Sequence, residues 1–491
     1  MTARPRRFPS VRKILLVCAL ARAVAFAGEP AADDAKIARV ESGLLPPARI
    51  AGARTEPWTI AARMAFYKVP GVSVAVINDG AIEWARGYGV ARAGNPAPVT
   101  PDTLFQAASL SKPVAAVGAL TLVDAGKLTL DTDVNASLAA WKLSGASGPG
   151  GERATLRRLL SHTAGVTVQG FDGYAAGTPV PTLFQILNGM PPANSPAVRV
   201  DLIPGTTWRY SGGGYCVVQQ LVLDVTGGEF PAFMKARVLD PAGMSASTFA
   251  QPLPALLAPR AAAGHVADGT VVPGDAHVYP ELAAAGLWTT PSDLARFTLA
   301  VQQALEGHDG LLTAATAKQI LDTPVAGSDY GLGFGVKHTG EKLQLSHGGS
   351  NAGFRCVLVA YPFAGRGAIV MTNSDNGAEL GDEILRAIAR EYAWPDYGVI
   401  EKTAAAFDPK AFTDFIGYYE RENTKVLAYS RQGHFFLKFG TRPSVEIFPQ
   451  SNHEFFLLDD PDVFSFERNS RGEVSHLIRR SAAPQLFRRV P

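Results

Sequence analysis

The chain has 491 residues, 47% of them hydrophobic and 18% charged, with 49 glycines and 35 prolines. That length exceeds what one core fills, so two folded units are expected, and the composition excludes a disordered or collagen-like chain. The net charge of +2 hides an asymmetry: residues 1–27 hold six basic and no acidic residues, and without them the remainder stands at −4, which argues against nucleic acid as a partner.

Arg4, Arg6, Arg7, Arg12 and Lys13 precede the apolar run Ile14 to Ala21, and Ala25-Phe26-Ala27 offers a small-residue cleavage site. Residues 1–27 therefore read as a secretory signal peptide, with a mature start near Gly28 and export to a bacterial periplasm or the medium. Arg22 cuts the run short of the roughly 20 apolar residues a span needs, so no stable membrane anchor is expected. Cys216 and Cys356 remain after cleavage and are expected as free, partly buried thiols. The nine histidines form no CxxC, HExxH or close His/Asp cluster, so no metal or other cofactor is predicted.

Residues 28–56 read as an N-terminal lead-in with at most a short helix, and regular structure is expected after Trp58. Val72 to Ile77 and Ala81 to Ala85 flank Asn78-Asp79-Gly80, a hairpin signal. Helical patterns follow at Pro113 to Asp124, Tyr215 to Thr226 and Pro291 to Leu305. Strands are predicted after Ser350 and over Gly365 to Thr372. Hairpin strands at both ends with helices between them indicate an α+β fold, an antiparallel sheet flanked by helices. Pro395 to Pro409 forms a joint, which gives a catalytic-type unit over 57–395, a linker over 396–409 and a small all-β domain over 410–491. The last carries runs such as Val426 to Tyr429 and His434 to Phe439.

Chemistry is suggested first at Ser109-Leu110-Ser111-Lys112. Ser-x-x-Lys alone is weak, since Ser10-Val11-Arg12-Lys13 repeats it in the leader. Pro113, however, is tolerated only near the first turn of a helix, so Ser109 lies at or beside a helix start, with Lys112 one turn on along the same face. A serine there has backbone N–H groups and the helix dipole to favour developing negative charge, and an amine to take its proton. A neutral Lys112 would be a base; a charged one would instead hold a tyrosine as phenolate. Tyr210, followed by Ser211 and three glycines that let the chain turn sharply, is the candidate for that second group. His347-Gly348-Gly349-Ser350 enters a β-run where a substrate backbone can lie against the strand, and a strand N–H can join the Ser109 N–H as an oxyanion hole. His347 would face the ligand as a donor or, protonated, as a cation. His162 reads as structural. No serine has the Gly-x-Ser-x-Gly setting of an α/β-hydrolase.

Taken in order, Val69-Pro70-Gly71-Val72, Thr103-Leu104-Phe105 leading to Ser109-x-x-Lys112, Leu159 to Gly165, Pro204-Gly205-Thr206 leading to Tyr210-Ser211, Ala285 to Leu294, and His347-Gly348-Gly349 resemble the class C β-lactamase-related serine hydrolase family. The resemblance covers roughly residues 57–392. It implies an antiparallel sheet, a mainly helical second lobe with the active site between them, and a barrel-like domain at 410–491. It also implies roles: Ser109 as nucleophile, Lys112 and Tyr210 as shared base and acid, His347, Gly348 and Gly349 as substrate-side strand, and the Ser109 and Ser350 N–H groups as oxyanion hole. Two departures stand out. Gly212 replaces the family's asparagine, and His347 stands where efficient lactamases carry a lysine. Both shift the expected substrate towards small esters or amides of D-amino-acid peptides, leaving weak β-lactam turnover open. The alternative is a penicillin-recognising or scaffold-like protein that binds or is acylated without turnover.

Overall fold

A computed structural model describes residues 1–2, 34–52, 56–308, 310–422, 424–440, 444–458, 462–481 and 484–491. The signal peptide expected over 1–27 lies, beyond its first two residues, outside them. Among the described residues no helix is long and apolar enough to cross a membrane.

The segment read as a lead-in is structured. Helix α1 (Asp34–Glu41) and strand β1 (Ala48–Ile50) precede Trp58, where regular structure was expected to begin only afterwards. Ile37, Val40 and Leu44 are buried in one core with residues more than 300 positions away, a contact that local periodicity cannot report. Helix α2 (Ile60–Tyr67) follows, capped by the Thr59 side chain accepting from the Ala62 N–H. Strands β2 (Gly71–Asn78) and β3 (Ala81–Gly89) form the predicted hairpin, with Asp79 and Gly80 at positive φ in the turn.

Strand β4 (Phe105–Gln106) leads into a 3-10 turn at Ala108–Leu110 and then helix α3 (Ser111–Asp124). Residues 130–290 build the helical lobe, with α4 (Val134–Ser137), α5 (Leu156–Leu160), α6 (Leu183–Asn188), α7 (Gly212–Thr226), α8 (Phe230–Met234) and α9 (Leu282–Ala285). Strand β5 (Trp288–Thr289) pairs with β4. Helix α10 (Pro291–Leu305) matches its predicted range. Thr290 caps it by accepting from the Asp293 N–H, and Pro291 sits at the first position, where a missing N–H costs nothing. After α11 (Ala314–Gln319) come strands β6 (Gly335–Lys337), β7 (Gln344–Asn351), β8 (Phe354–Tyr361) and β9 (Arg366–Thr372), then α12 (Gly377–Glu391).

The main sheet is antiparallel, in the order β3-β2-β9-β8-β7-β6. One face packs on α10 and on the 3-10 turn that leads into α3, in the larger core; the other is covered by α1, α2 and α12. Leu380, Ile384 and Ile388 recur at helical spacing and are fully buried on that second face. The span read as a linker, 396–409, contains β10 (Ile400–Lys402), which pairs in parallel with β1. Strands β11 (Gly417–Arg421), β12 (Thr424–Arg431), β13 (His434–Phe439), β14 (Val445–Pro449), β15 (Glu454–Phe456), β16 (Val463–Arg468), β17 (Val474–Arg480) and β18 (Gln485–Val490) then close into a barrel, the all-β domain expected. Its interior is aromatic: Phe412, Phe415, Phe435, Phe455 and Phe466 stack or meet edge to face.

A buried ion pair joins α2 to α12. Arg63 donates from Nε and Nη2 to the two Glu383 carboxylate oxygens at 2.8 and 2.6 Å, and the Tyr67 hydroxyl donates to the same carboxylate at 2.8 Å. Removing one partner strands a charge in the interior, at a cost of about 3–5 kcal/mol. Glu383→Ala should therefore lower the urea midpoint sharply, while the double change Arg63→Met with Glu383→Leu recovers most of the loss.

Candidate active site

Ser109 lies in the 3-10 turn directly before α3, as the position of Pro113 requires. The preceding residue, Ala108, has φ 49, a left-handed conformation that costs a non-glycine residue about 1–2 kcal/mol. Four contacts hold this turn. The Cys356 thiol donates to the Ala107 carbonyl at 2.9 Å. The Ser111 hydroxyl donates to the Ala108 carbonyl at 2.6 Å and accepts from the Leu287 N–H at 3.0 Å. Gly349 of β7 comes so close that a Cβ there would lie 2.4 Å from Cys356 Sγ and 2.5 Å from the Ala107 oxygen. Only glycine fits between strand and turn.

Lys112 is buried, and its Nζ donates to Ser109 Oγ and to the Ala284 carbonyl of α9, both at 2.8 Å. Both partners are uncharged oxygens. Tyr210 is half-buried, its ring centroid 4.9 Å from Lys112 Nζ. Among the described residues its hydroxyl makes no hydrogen bond to Ser109 or Lys112. The ring is held by His162, whose centroid lies 4.3 Å away and whose Nδ1 accepts from the Ser211 N–H. Burial, then the Lys112 charge, push the His162 pKa well below its ordinary value, so the ring is a neutral spacer. His162 is structural, as read, but it positions a candidate catalytic ring.

The glycines after Tyr210 do not make a sharp turn; they form the first turn of α7, capped by Ser211 Oγ accepting from the Gly214 N–H. Residues 167–171 press against them. The Gly212 and Gly213 N–H groups donate to the Gln169 and Val168 carbonyls, and a Cβ on Gly212 would lie 2.9 Å from the Phe171 ring. An asparagine at 212 would require Phe171 to move.

His347 corrects a second expectation. Its Nδ1 lies 2.6 Å from the Gly348 carbonyl, which can only accept, so Nδ1 carries the proton and Nε2 is a bare acceptor, buried and without a partner. Burial, then the Lys112 charge, lower its pKa to about 3. The ring is thus neither the cation nor the ligand-facing donor considered from the sequence. Strand β7 closes on β8 through a two-residue turn after Asn351, and antiparallel alternation directs the N–H and C=O groups of Gly348 and Ser350 away from β8. Strand β6 pairs only as far as Ser346, so that edge is open beside Ser109. Ser109, Tyr210, His347, Gly348, Gly349 and Ser350 all line one cavity of about 710 Å³.

Cys216 and Cys356 are free; Cys216 is fully buried and Cys356, 8% exposed, borders the cavity, and desolvation raises both thiols above their ordinary range. Among the described residues no group of three or more His, Cys, Asp or Glu could hold a metal ion.

The Beta-lactamase family model matches residues 59–393. The chain belongs to that family. Penicillin-binding protein 4* of Bacillus subtilis strain 168 is 24% identical over 417 residues, covering 78% of this chain and 87% of that protein. A D-aminopeptidase of Brucella anthropi is 24% identical over 392 residues, covering 77% and 69%. The octameric penicillin-binding protein homologue from Pyrococcus abyssi superposes with a TM-score of 0.61 at 21% identity, over 87% of this chain and 96% of that one. These likenesses place the fold in the β-lactamase/transpeptidase class with a C-terminal eight-stranded barrel.

One acidic residue near the site gave no sequence signal. Glu281 begins α9, whose Ala284 carbonyl holds Lys112, and is fully buried beside Tyr174 without a well-formed hydrogen bond to its carboxyl. Burial raises its pKa from 4.5 to about 7. The unfolded chain ionises this group above pH 4.5 while the folded one does not until about pH 7, so stability falls across that interval and then levels. Glu281→Gln should therefore gain on the wild type by about 3 kcal/mol between pH 4.5 and pH 8 in urea unfolding.

Proposed function

We propose that this chain is a serine acyl hydrolase that forms an acyl-enzyme on Ser109 and acts on small esters or on amides of D-amino-acid peptides. The observation that carries the reading is the 2.8 Å hydrogen bond between Lys112 Nζ and Ser109 Oγ at the foot of an open strand edge. Ser109 Oγ attacks the substrate carbonyl, and its proton passes to Lys112 when that amine is neutral or, when Lys112 is charged and after a small ring movement, to Tyr210 held as a phenolate. The Ser109 and Ser350 N–H groups donate to the developing oxyanion. The leaving amine or alkoxide takes the proton back, and water activated by the same pair releases the acyl group.

Substrate choice follows from the missing fixed cation. With His347 neutral and offering a lone pair, the strand edge has nothing at that position to meet a substrate carboxylate, and it favours a partner that brings an N–H or O–H donor. That ranks esters and amides bearing a free donor above β-lactams. A D-aminopeptidase among the relatives fits the same ranking.

Ser109→Ala should abolish turnover of a chromogenic ester and a D-alanyl amide, and Lys112→Ala should lower kcat by at least about 100-fold. Intact-protein mass after mixing with the ester should show a transient adduct on the native chain alone. Retained turnover in Ser109→Ala refutes the mechanism. A permanent adduct without turnover favours the acylated, non-catalytic alternative.

A further inference from the structure

Away from Ser350, the cavity at Ser109 runs back along β7 to Ser346 and to Gly335 of β6, and its other walls there are rings: Trp208, Tyr210, Tyr330 and His347. These rings form a connected arc. Trp208 and Tyr330 have centroids 6.2 Å apart with planes inclined by 48°, Tyr330 and His347 lie 5.9 Å apart at 76°, and His347 and Tyr210 6.3 Å apart at 48°. Buried His162 braces the arc, with its centroid 4.3 Å from that of Tyr210, 4.7 Å from that of Tyr330 and 6.4 Å from that of Trp208. The chain beside Trp208 is pinned as well, since the Arg209 N–H donates to the His162 carbonyl at 2.9 Å and Arg209 Nη2 to the Gly165 carbonyl at 2.7 Å. Yet Trp208 itself stays 41% exposed. An indole fixed beside the nucleophile, with much of its surface still in water, is a preformed contact face that costs little ordering when a ligand covers it.

Which half of a substrate meets these rings follows from proton transfer. On the hydrolase reading above, the carbonyl oxygen points to the Ser109 and Ser350 N–H groups, and the leaving atom must lie within reach of the proton held by Lys112 or Tyr210. Tyr210 is itself part of the arc, so the departing half lies towards Trp208 and Tyr330 and the acyl half on the other side of Ser109. None of the six residues at this end is acidic or basic save His347, whose ring is neutral. We propose that the arc is a leaving-group subsite for a neutral aromatic ring. The chain then prefers esters and amides whose departing half carries an aryl group, an aromatic amino acid among them, over aliphatic ones of equal size. Walls inclined to one another let an incoming ring lie offset against one and edge-on to the next, the arrangements aromatic pairs favour at centroid separations of about 4.5–7 Å. A saturated ring gains only from the area it buries.

Size-matched ester pairs test this. Benzyl and cyclohexylmethyl acetate vary the leaving group; methyl phenylacetate and methyl cyclohexylacetate vary the acyl group. Each kcat/KM is divided by the rate of alkaline hydrolysis of the same ester, which removes intrinsic reactivity. In the native chain the benzyl ester should then exceed its saturated partner by at least about three-fold, and the acyl pair should agree within about 1.5-fold. Trp208→Leu should bring the benzyl ratio within about 1.5-fold of unity, whereas Trp208→Phe, which keeps a ring, should retain most of it. Trp208 is exposed, so neither change strips a packed core, and a ratio taken within one protein cancels any general loss of activity. Binding of N-benzylacetamide and N-(cyclohexylmethyl)acetamide to Ser109→Ala, followed by calorimetry, needs no turnover and should favour the benzyl compound by a similar factor. If the native chain turns over no ester, the hydrolase reading fails and this binding order alone decides the subsite. Equal values for the benzyl and cyclohexylmethyl compounds, an aromatic preference confined to the acyl pair, or a benzyl preference untouched by Trp208→Leu overturns it.

Discussion

The site depends on how closely β7 can approach the turn that carries Ser109. With no side chain at Gly349, the strand lies against the Ala107 carbonyl and the Cys356 thiol completes the junction by donating to that same oxygen. Ala108 is thereby held at positive φ, a conformation that would relax if either neighbour withdrew. The strain is small beside the packing around it, since Ala107, Ala108 and Leu110 are fully buried. The nucleophile is thus fixed relative to the strand edge by backbone and one sulfur, not by its own side chain.

A second constraint comes from the helical lobe. Short α9 supplies a carbonyl to Lys112, and it is itself held by Gln219 of α7, which accepts from the Ala283 N–H and donates to the Pro280 carbonyl. Asn351, at the end of β7, donates to Gln106 and to the Ala285 carbonyl. Lobe and sheet therefore meet through a continuous set of buried hydrogen bonds around the amine. In such surroundings each bond is strengthened by the low dielectric, and each loss leaves a costly orphan.

The parts legible in the sequence were those governed by local rules. Pro113 located Ser109 at a helix start, Asp79-Gly80 marked the hairpin, and alternation disclosed the strands of the barrel. What was hidden rests on contacts between distant segments. Nothing near Gly212 announces that Phe171 will occupy the space above it, and nothing near Glu281 shows that it will be enclosed. The charge state of His347 depends on burial and on Lys112, more than 200 residues away, so residue type alone suggested a cation that the surroundings disfavour. The segment read as lead-in failed for the same reason, because α1 is ordered by α12.

The sheet order has a kinetic consequence. Strand β2 lies in the interior of the sheet, hydrogen-bonded on one side to its hairpin partner and on the other to β9, with Val72 opposite Thr372. Until the chain has been synthesised through that residue, one edge of an almost wholly buried strand, Val72 to Ile77, has no partner. Such high contact order slows folding, and an apolar edge left open invites pairing with another chain. The β1–β10 ladder lies further out still, so the barrel's junction closes after the sheet. Nascent or refolding chains therefore need protection of that edge, by dilution or by a chaperone, for longer than their helices need to form.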